Sequence, residues 1–310
     1  MSAPSLPPDR RAIRRASVYP YLLLSLAALF WAGNWIVGRA IRDTVPPVAL
    51  SFWRWAIAAL LLAPIALPRL VGAGALLRRH WLVLFLLGLT GVALFQALIY
   101  TGLRFTTSVN GVMMNSASPL FIILIAWLID GERVSLRQLI GVAMSFLGIL
   151  VIMNRGDFAT LRHFSFNPGD LIVLLGMPVW GLYSVLIRRR PMELDALALV
   201  FVISLVGLAV LAPVYALESA FYATPQLSWR AAGAVLYIAC FASIGAYLCW
   251  NRGVELVGPN RAGFTFHLLP AFGTILAVLT LGETVHVFHL VGIATILFGV
   301  WLATSARTLH

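Results

Sequence analysis

The chain has 310 residues, of which 61% are hydrophobic and only 11% are charged, whereas soluble globular proteins are about 45–50% apolar and about 25% charged. This composition argues against an ordinary soluble fold. All 22 basic residues are arginines, so the lysine of an ATP-binding P-loop is missing and ATP-driven transport by this chain is disfavoured. The net charge of +11 comes from short arginine clusters between apolar runs, which is more typical of a cytoplasmic membrane face than of nucleic-acid binding.

Apolar runs of about 20 residues, the length of a membrane-spanning helix, recur along the whole chain. They predict an all-α integral membrane protein with ten transmembrane helices. The predicted spans are Tyr21–Ile41, Pro47–Leu67, Trp81–Leu103, Thr107–Ile129, Leu136–Met153, Gly169–Ile187, Ala196–Leu217, Arg230–Asn251, Arg261–Leu281 and Val287–Ser305. The short connections between these spans leave no room for a separate soluble catalytic domain.

Most arginines fall on one side of the predicted spans, which places both termini in the cytoplasm. The first apolar run follows an arginine-rich segment but has no small-residue cleavage site, so we interpret it as an uncleaved span. A multi-pass protein of a bacterial inner membrane is expected. Its predicted parts are a cytoplasmic tail (1–20), two five-helix units (21–154 and 169–305), a periplasmic linker (155–168) and a second cytoplasmic tail (306–310).

The two halves of the chain resemble each other. Residues of the first half that recur at the same spacing in the second half are Gly102, Pro119, Gly131, Glu132, Gly141 and Gly148, which correspond to Gly253, Pro270, Gly282, Glu283, Gly292 and Gly299. Trp31 likewise corresponds to Trp180. Because each half has five spans, an odd number, the second half enters the membrane from the opposite side. Inverted repeats around a central cavity are typical of secondary transporters, although repeats also occur in membrane scaffolds.

Several motifs in this chain resemble those of the drug/metabolite transporter superfamily, in particular its EamA-like ten-helix exporters. The motifs are F-W-A-G-N-W at Phe30–Trp35, F-W-R at Phe52–Arg54, Tyr100–Gly102, Ser118-Pro119, the Gly-Glu pairs at 131–132 and 282–283, and N-R-G-V-E at Asn251–Glu255. The resemblance implies export of amino acids or other metabolites. It extends to bacterial aromatic amino acid exporters of the YddG type, although those carry aromatic residues before the fourth-helix proline, where this chain has Asn115, Ser116 and Ser118.

Polar and aromatic side chains share helix faces inside the predicted spans. Trp31, Asn34 and Trp35 follow the spacing of one helix face, and the sixth span repeats this pattern. Because polar groups avoid lipid, we expect these faces to line a cavity; interfacial belts and helix bridging are the alternatives. The candidate substrate-binding residues are Trp31, Asn34, Trp35, Gln96, Tyr100, Asn115, Ser118, Trp180, Tyr183, Ser184, Ser243, Tyr247, Trp250 and His267.

Pro119 and Pro270 fall near the middle of the fourth and ninth predicted spans. A proline inside a helix frees the carbonyl four residues earlier, here those of Asn115 and Phe266. We expect two hinges whose free carbonyls face the cavity. A kink whose carbonyl is bonded by a neighbouring serine or threonine is the alternative.

Arg54 is the one charged residue clearly within a span. It is expected to face the protein interior, where it could bind a substrate carboxylate or serve a structural role. His267 is a candidate proton site or a neutral hydrogen-bonded histidine. The glycines of the fifth and tenth spans form small-residue stripes, to which we assign a structural or dimer-forming role, so the expected assembly is a monomer or a homodimer.

The remaining residues narrow the substrate class. All eleven acidic residues lie in the tail, in loops or at helix ends, which disfavours cationic drugs and proton or sodium coupling. Arg54 alone is too little for phosphate-bearing nucleotide sugars. A small neutral or zwitterionic molecule with apolar bulk remains, most readily an amino acid with a large apolar or aromatic side chain moving by facilitated diffusion, and other neutral metabolites or drugs are the alternative.

An enzyme is the competing class, because a polytopic lipid transferase would also be buried in the membrane. Such an enzyme would need a His-Asp pair, an acidic pair or a metal cluster at interfacial depth. Glu132 and Glu283 fall on opposite predicted faces, and His286 and His289 lack nearby acids or cysteines. The sequence therefore predicts no catalytic residue, no metal site and no cofactor.

Overall fold

The structure is a computed structural model that describes residues 10–106, 114–115, 117–154, 168–226, 228–281 and 286–304. Its principal helices, numbered in chain order, are α1 (Arg10–Ala40), α2 (Pro47–Arg69), α3 (Trp81–Leu87 and Phe95–Phe105, joined by a π-helical segment over Gly88–Leu94), α4 (Ser118–Asp130), α5 (Leu136–Met153), α6 (Pro168–Leu186), α7 (Ala196–Phe221), α8 (Trp229–Tyr237 and Ala246–Val257, joined by a π-helical segment over Ile238–Gly245), α9 (Pro259–Phe264 and Leu268–Leu281, joined by a 3₁₀ turn over Thr265–His267) and α10 (Val287–Thr304). A short helix, Gly74–Arg79, precedes α3. Residues 155–167 of the predicted linker, and the predicted tails apart from residues 10–20, lie outside the described part.

Seven of the described helical segments are long and apolar enough to cross a membrane. Two shorter apolar helices cover Ser118–Asp130 and Leu136–Ile152. Large apolar side chains cover the outer surface, among them Leu60 on α2 and Trp301 on α10, which are 73% and 57% exposed. Helices satisfy their own backbone hydrogen bonds, which lipid cannot do. The described residues therefore contain helices as their only regular elements, and these include helices apolar enough to cross a membrane, as the composition predicts.

Helices that correspond in the two halves pack against each other in antiparallel pairs. The carboxylate of Glu218, near the end of α7, accepts hydrogen bonds from the backbone N–H groups of Val48 and Ala49 at the start of α2. At the other end of the same pair, Arg69 of α2 forms an ion pair with Asp195, the residue before α7, at 3.3 Å. The chain order of these contacts shows that α2 and α7 run in opposite directions.

Glycine allows α5 and α10 to approach closely along an antiparallel path. A Cβ atom added at Gly141 would lie 2.6 Å from the carbonyl oxygen of Gly299, and one added at Gly148 would lie 2.6 Å from that of Gly292. Neither distance is compatible with a side chain at the present helix spacing. The glycine stripe is therefore used for packing within one chain, which agrees with its predicted structural role.

Helix α1 contacts α8 and α9, and the corresponding α6 contacts α3 and α4. Together with the α2–α7 and α5–α10 pairs, these contacts give the two halves equivalent neighbours. The helices surround a central region that is open at the end where α1 stops and α2 begins. We call this the open end and the opposite end, where α6 stops, the closed end.

The start of the first helix differs from the sequence-based prediction, and the start of α4 determines where Pro119 lies. The first helix begins at Arg10, upstream of the predicted Tyr21, because arginine and alanine are good helix formers that extend an apolar helix into water. Within the described residues, α4 begins at Ser118, so Pro119 lies in the first turn of this helix. Residues 114–115 are also helical, and residues 107–113 and 116 of the predicted span lie outside the described part.

The positions of the two prolines bear on the predicted hinges. In the first turn of a helix a proline displaces no hydrogen bond, and the Asn115 carbonyl accepts one from the Ser118 hydroxyl at 2.6 Å. This arrangement corresponds to the alternative in which a neighbouring serine bonds the carbonyl that the proline leaves free. Pro270 lies in the first turn of Leu268–Leu281, directly after the 3₁₀ turn. The hinge role of both prolines stays a prediction.

The π-helical segments of α3 and α8 occupy equivalent places in the two halves, and sequence reasoning did not find them. Each inserts an extra residue per turn and leaves a backbone carbonyl that needs a partner. Hydroxyls supply it, since Thr90 donates to the Leu86 carbonyl at 2.6 Å and Ser243 contacts the Ile238 carbonyl at 3.3 Å. Such segments often mark functional sites.

Candidate substrate cavity

A cavity of about 800 Å³ enters the protein from the open end. Its volume lies within the range of about 300–1,000 Å³ that is usual for small-molecule sites. Seven of the predicted site residues line it, namely Trp31, Asn34, Trp35, Gln96, Tyr100, Asn115 and Trp180. The other seven, Ser118, Tyr183, Ser184, Ser243, Tyr247, Trp250 and His267, are buried but do not line it.

Aromatic rings form the deep part of the cavity. The ring centroids of Trp31 and Trp180 are 5.2 Å apart in an edge-to-face arrangement. Phe266 lies 5.4 Å from Trp31 and Phe95 lies 4.9 Å from Trp180. These spacings are those of favourable aromatic contacts, and rings in such an arrangement offer a surface against which a flat apolar group can pack.

A chain of polar groups lies beside the aromatic wall. The Tyr100 hydroxyl donates a hydrogen bond to Asn34 Oδ1 and accepts one from Arg54 Nη1, both at 3.1 Å. Arg54 Nε donates to the Ser243 hydroxyl at 2.7 Å. Asn34 and Tyr100 line the cavity, whereas Arg54 lies behind them. The network therefore joins α1, α2 and α3 of the first half to α8 of the second.

The mouth of the cavity carries residues that the sequence analysis did not assign to the site. Arg42, Asp43 and Thr44 follow α1, Arg104 lies near the end of α3, and Gln226 precedes α8. Backbone N–H of Gln226 donates to the Thr44 carbonyl at 2.8 Å, so the loops of the two halves meet at the mouth. Apart from Arg104, which lies on a helix, these are loop residues, which have no helical periodicity, so the signal that located the other lining residues was missing for them.

The other half of the core is closed by packed aromatic side chains. Tyr183, Tyr247 and Trp250 are fully buried. Tyr183 donates to Asn251 Oδ1 at 2.7 Å, and the Tyr247 hydroxyl bonds the Gly91 carbonyl in the π-helical segment of α3. A ligand in the cavity cannot pass between these side chains in the present conformation.

Ion pairs cross the closed end. Arg189, after α6, pairs with Asp130 at the end of α4 at 2.8 Å. Arg190 pairs with Glu255 on α8 at 2.9 Å, and Glu255 also pairs with Arg252. Arg188 pairs with both Asp130 and Glu132. Each exposed pair is worth only about 0–1 kcal/mol, but this network ties α4, α6 and α8 together.

Two acidic residues, Asp170 and Glu218, are buried near helix ends at the open end. Asp170 bonds the Thr106 hydroxyl, and Glu218 caps α2. Within the described ranges, no group of three or more histidines, cysteines or acids could hold a metal ion. The two cysteines, Cys240 and Cys249, are free thiols.

Replacing Glu218 by glutamine is expected to destabilise the fold by about 1–2 kcal/mol, because the charge-assisted bonds to the positive end of the α2 dipole are lost. Thermal unfolding in detergent measures this. The matched control is Glu193→Gln, since Glu193 is exposed. Equal unfolding temperatures for the two variants would contradict the capping role.

Comparison with known proteins identifies the family. The sequence pattern of the EamA-like transporter family matches residues 18–154 and again residues 167–305. An uncharacterized transporter of Archaeoglobus fulgidus is 30% identical over 93% of this chain and 98% of its own length. The uncharacterized transporter YyaM of Bacillus subtilis is 26% identical over 92% and 93%, respectively.

Two further comparisons concern a named relative and the fold. A protein of Streptantibioticus cattleyicolor named as a probable terminal-alkyne amino-acid exporter is 24% identical over 92% of this chain and 93% of its own length. A protein of known crystal structure shares the fold with a TM-score of 0.73 at 22% identity, covering 92% of this chain and 96% of that chain. With the family pattern matched in both halves, the chain belongs to the EamA-like transporter family.

Proposed function

We propose that the protein exports amino acids with large apolar or aromatic side chains across a bacterial inner membrane by alternating access, as the YddG-type resemblance implies. The observation that carries this proposal is the cavity, which has an aromatic deep wall and a polar side and whose lining reaches the loops at the open end. An aromatic or branched side chain fits against the rings of Trp31 and Trp180, while Asn34, Gln96 and Tyr100 offer hydrogen bonds to an amino acid backbone.

Inverted repeats would give the protein its second conformation. The family pattern occurs once in each half, and the corresponding pairs α2–α7 and α5–α10 run antiparallel. Both observations support two five-helix repeats of opposite orientation. Two similar halves of opposite orientation can exchange conformations and so expose one central site to either side.

The repeat-related tryptophans differ in a way that supports this exchange. Trp31 lies in the first half and its Nε1 donates to the Ala242 carbonyl at 3.1 Å. Trp180, its counterpart, is buried with an Nε1 that has no hydrogen-bond partner among the described residues. In the opposite conformation we expect the two environments to be exchanged. With cytoplasmic termini, the present conformation is open to the periplasm.

Counterflow tests the substrate class. Purified protein in liposomes preloaded with L-phenylalanine is expected to accumulate external labelled L-phenylalanine, and L-tryptophan and L-leucine should compete better than glycine or L-lysine. The relative from Streptantibioticus cattleyicolor, named as an amino-acid exporter, supports the choice of amino acids. Counterflow by other neutral metabolites but not by amino acids would leave a transporter and overturn the amino acid assignment.

Transport is expected to run down the substrate gradient without ion coupling, because the buried acids Asp170 and Glu218 are engaged at helix ends and not in the cavity wall. Flux should therefore be the same, within about twofold, with and without an imposed pH gradient. Strict dependence on the gradient would contradict this expectation and make His267, which is buried in α9, the candidate proton site.

The ion pairs at the closed end are expected to act as a gate. In a background with both native cysteines replaced by serine, Ser184→Cys is buried and should react slowly with N-ethylmaleimide. Adding Glu132→Gln and Glu255→Gln removes pairs that link α4, α6 and α8. Labelling should then accelerate by about fivefold or more, since each pair is worth up to about 1 kcal/mol.

The control for this gate is Arg69→Gln. This variant removes the ion pair with Asp195 at the same end of the protein, but α2 and α7, which that pair joins, also pack against each other along their length. That variant should label like the background. Equal labelling rates for the control and the double glutamine variant would show that the pairs do not hold the closed end.

A further inference from the structure

Arg54 of α2 is fully buried, although it carries a charge within a membrane span. Its guanidinium stands over the Trp55 ring at 5.6 Å from the centroid, with Nε bonded to Ser243 and Nη1 to Tyr100. The remaining nitrogen, Nη2, is buried without a hydrogen-bond partner. No carboxylate of the described residues lies within 4.0 Å of the group, so its charge is not neutralised in this conformation.

Such a group needs an anion. A guanidinium does not lose its proton in proteins, and a buried charge is stable only when it is paired and hydrogen-bonded. The buried acids Glu218 and Asp170 bond the α2 N-terminus and Thr106 instead. An arginine with a purely structural role would be expected to use its outer nitrogen, whereas this one keeps Nη2 available.

Tyr100 separates Arg54 from the cavity. Its ring lines the cavity and its hydroxyl joins Arg54 Nη1 to Asn34 Oδ1 at 3.1 Å on each side. A ligand in the cavity must therefore displace this hydroxyl, or share it, to reach Nη1 of the guanidinium. Arg54 presents two nitrogens, Nη1 and Nη2, in the planar fork that binds a carboxylate through two parallel hydrogen bonds.

We propose that Arg54 is the carboxylate subsite of the transport cavity, and that Tyr100 covers it until the substrate arrives. This inference rests on the proposed function as an amino acid exporter. The substrate carboxylate displaces the Tyr100 hydroxyl from Nη1 and takes Nη1 and Nη2 together, while Tyr100 donates its hydrogen bond to the carboxylate in place of Asn34. The substrate side chain then extends toward Trp31 and Trp180.

The proposed subsite predicts which chemical groups of the substrate are required for binding. The carboxylate is essential, whereas the acceptor beside Tyr100 that the ammonium group can meet is the neutral Asn34 Oδ1, which Tyr100 releases; the carboxylate of Asp43 lies at the mouth. A ligand with a ring and a carboxylate but no amine should therefore still bind, and a ligand with a ring and an amine but no carboxylate should not.

The first experiment compares competitors of labelled L-phenylalanine counterflow by the wild-type protein. 3-Phenylpropionate should compete within about tenfold of L-phenylalanine, and L-phenylalaninamide and phenethylamine should be at least about tenfold weaker than 3-phenylpropionate. Equal competition by the acid and the amide overturns the subsite without any variant, so it is decisive even if Arg54 variants fail to fold.

The second experiment measures binding without transport. Quenching of tryptophan fluorescence by 3-phenylpropionate is titrated in detergent for the wild type, Arg54→Gln, Arg54→Lys and the control Arg230→Gln, an exposed arginine outside the cavity. We expect saturable quenching in the wild type and the control, about tenfold weaker binding in Arg54→Lys, which lacks the fork, and none in Arg54→Gln.

The outcomes separate the subsite from the proposed function. Saturable, Arg54-dependent quenching without phenylalanine counterflow would keep the subsite and overturn amino acid export. Counterflow with equal binding in the wild type and Arg54→Gln would keep export and overturn the subsite. Absence of saturable quenching by either 3-phenylpropionate or L-phenylalanine in the wild type would also overturn the subsite.

Discussion

Replacing Asn34 by leucine is expected to lower the initial rate of counterflow by about ten- to a hundredfold. Asn34 lines the cavity and its Oδ1 accepts the Tyr100 hydroxyl at 3.1 Å. Leucine has the same number of side-chain heavy atoms with the same branching but removes both the acceptor and the donor, so Tyr100 and the substrate lose hydrogen bonds at a buried position. A lost bond of this kind costs about 1–3 kcal/mol, which gives the expected range of rates.

The control for this variant is Asn154→Leu, the same exchange at the end of α5 and outside the cavity wall. Its counterflow rate should stay within about twofold of the wild-type rate. Unfolding temperatures in detergent show whether either variant is simply unstable. A folded Asn34→Leu protein with wild-type flux would exclude this side of the cavity from the transport path.

Replacing Gly148 by leucine is expected to destabilise the protein by at least about 3 kcal/mol. Even a Cβ atom at this position would lie 2.6 Å from the Gly292 carbonyl oxygen and 2.9 Å from the nearest Ile296 atoms. The backbones of α5 and α10 must therefore separate, and a close-packed membrane interface loses its contacts along several turns. Thermal unfolding in detergent, followed by size-exclusion profiles, measures the loss.

The control is Gly233→Ala on α8, where an added Cβ meets nothing within 4 Å. This exchange should leave stability unchanged or raise it slightly, because alanine is the better helix former. The size-exclusion profile of Gly148→Leu also tests the alternative that the glycine stripe of α5 and α10 forms a dimer interface. A Gly148→Leu protein that is as stable as the wild type but has lost an oligomeric form would contradict packing within one chain.

The helices and part of the cavity wall were predictable because both depend on local regularities. Apolar runs of spanning length locate helices, since lipid demands hydrogen-bonded backbone and apolar surface. Residues such as Trp31 and Asn34 are recognisable because the helical period puts them on one face, away from lipid. The repeated spacing of glycine, proline and glutamate located the internal repeat, and the family pattern also occurs once in each half.

Other features depend on contacts between distant segments and could not be predicted. The π-helical segments of α3 and α8 arise where packing and hydroxyl hydrogen bonds favour an extra residue in the turn. No local sequence pattern predicts them. The position of Pro119 in a first turn likewise depends on where α4 begins. Loop residues at the cavity mouth share no helix face, so their role is visible only in the structure, where the Gln226 N–H donates to the Thr44 carbonyl.

The amino-acid sequence alone predicts a helical membrane protein built from two similar halves, and it indicates which side chains avoid lipid. Which of those side chains line the cavity, and which seal the core behind it, is visible only in the three-dimensional arrangement of the helices. Helical period assigns a residue to a face but not to an end of the bundle. In a protein with two similar halves, the packing between the halves decides which end of the bundle is open. The different environments of Trp31 and Trp180 illustrate this.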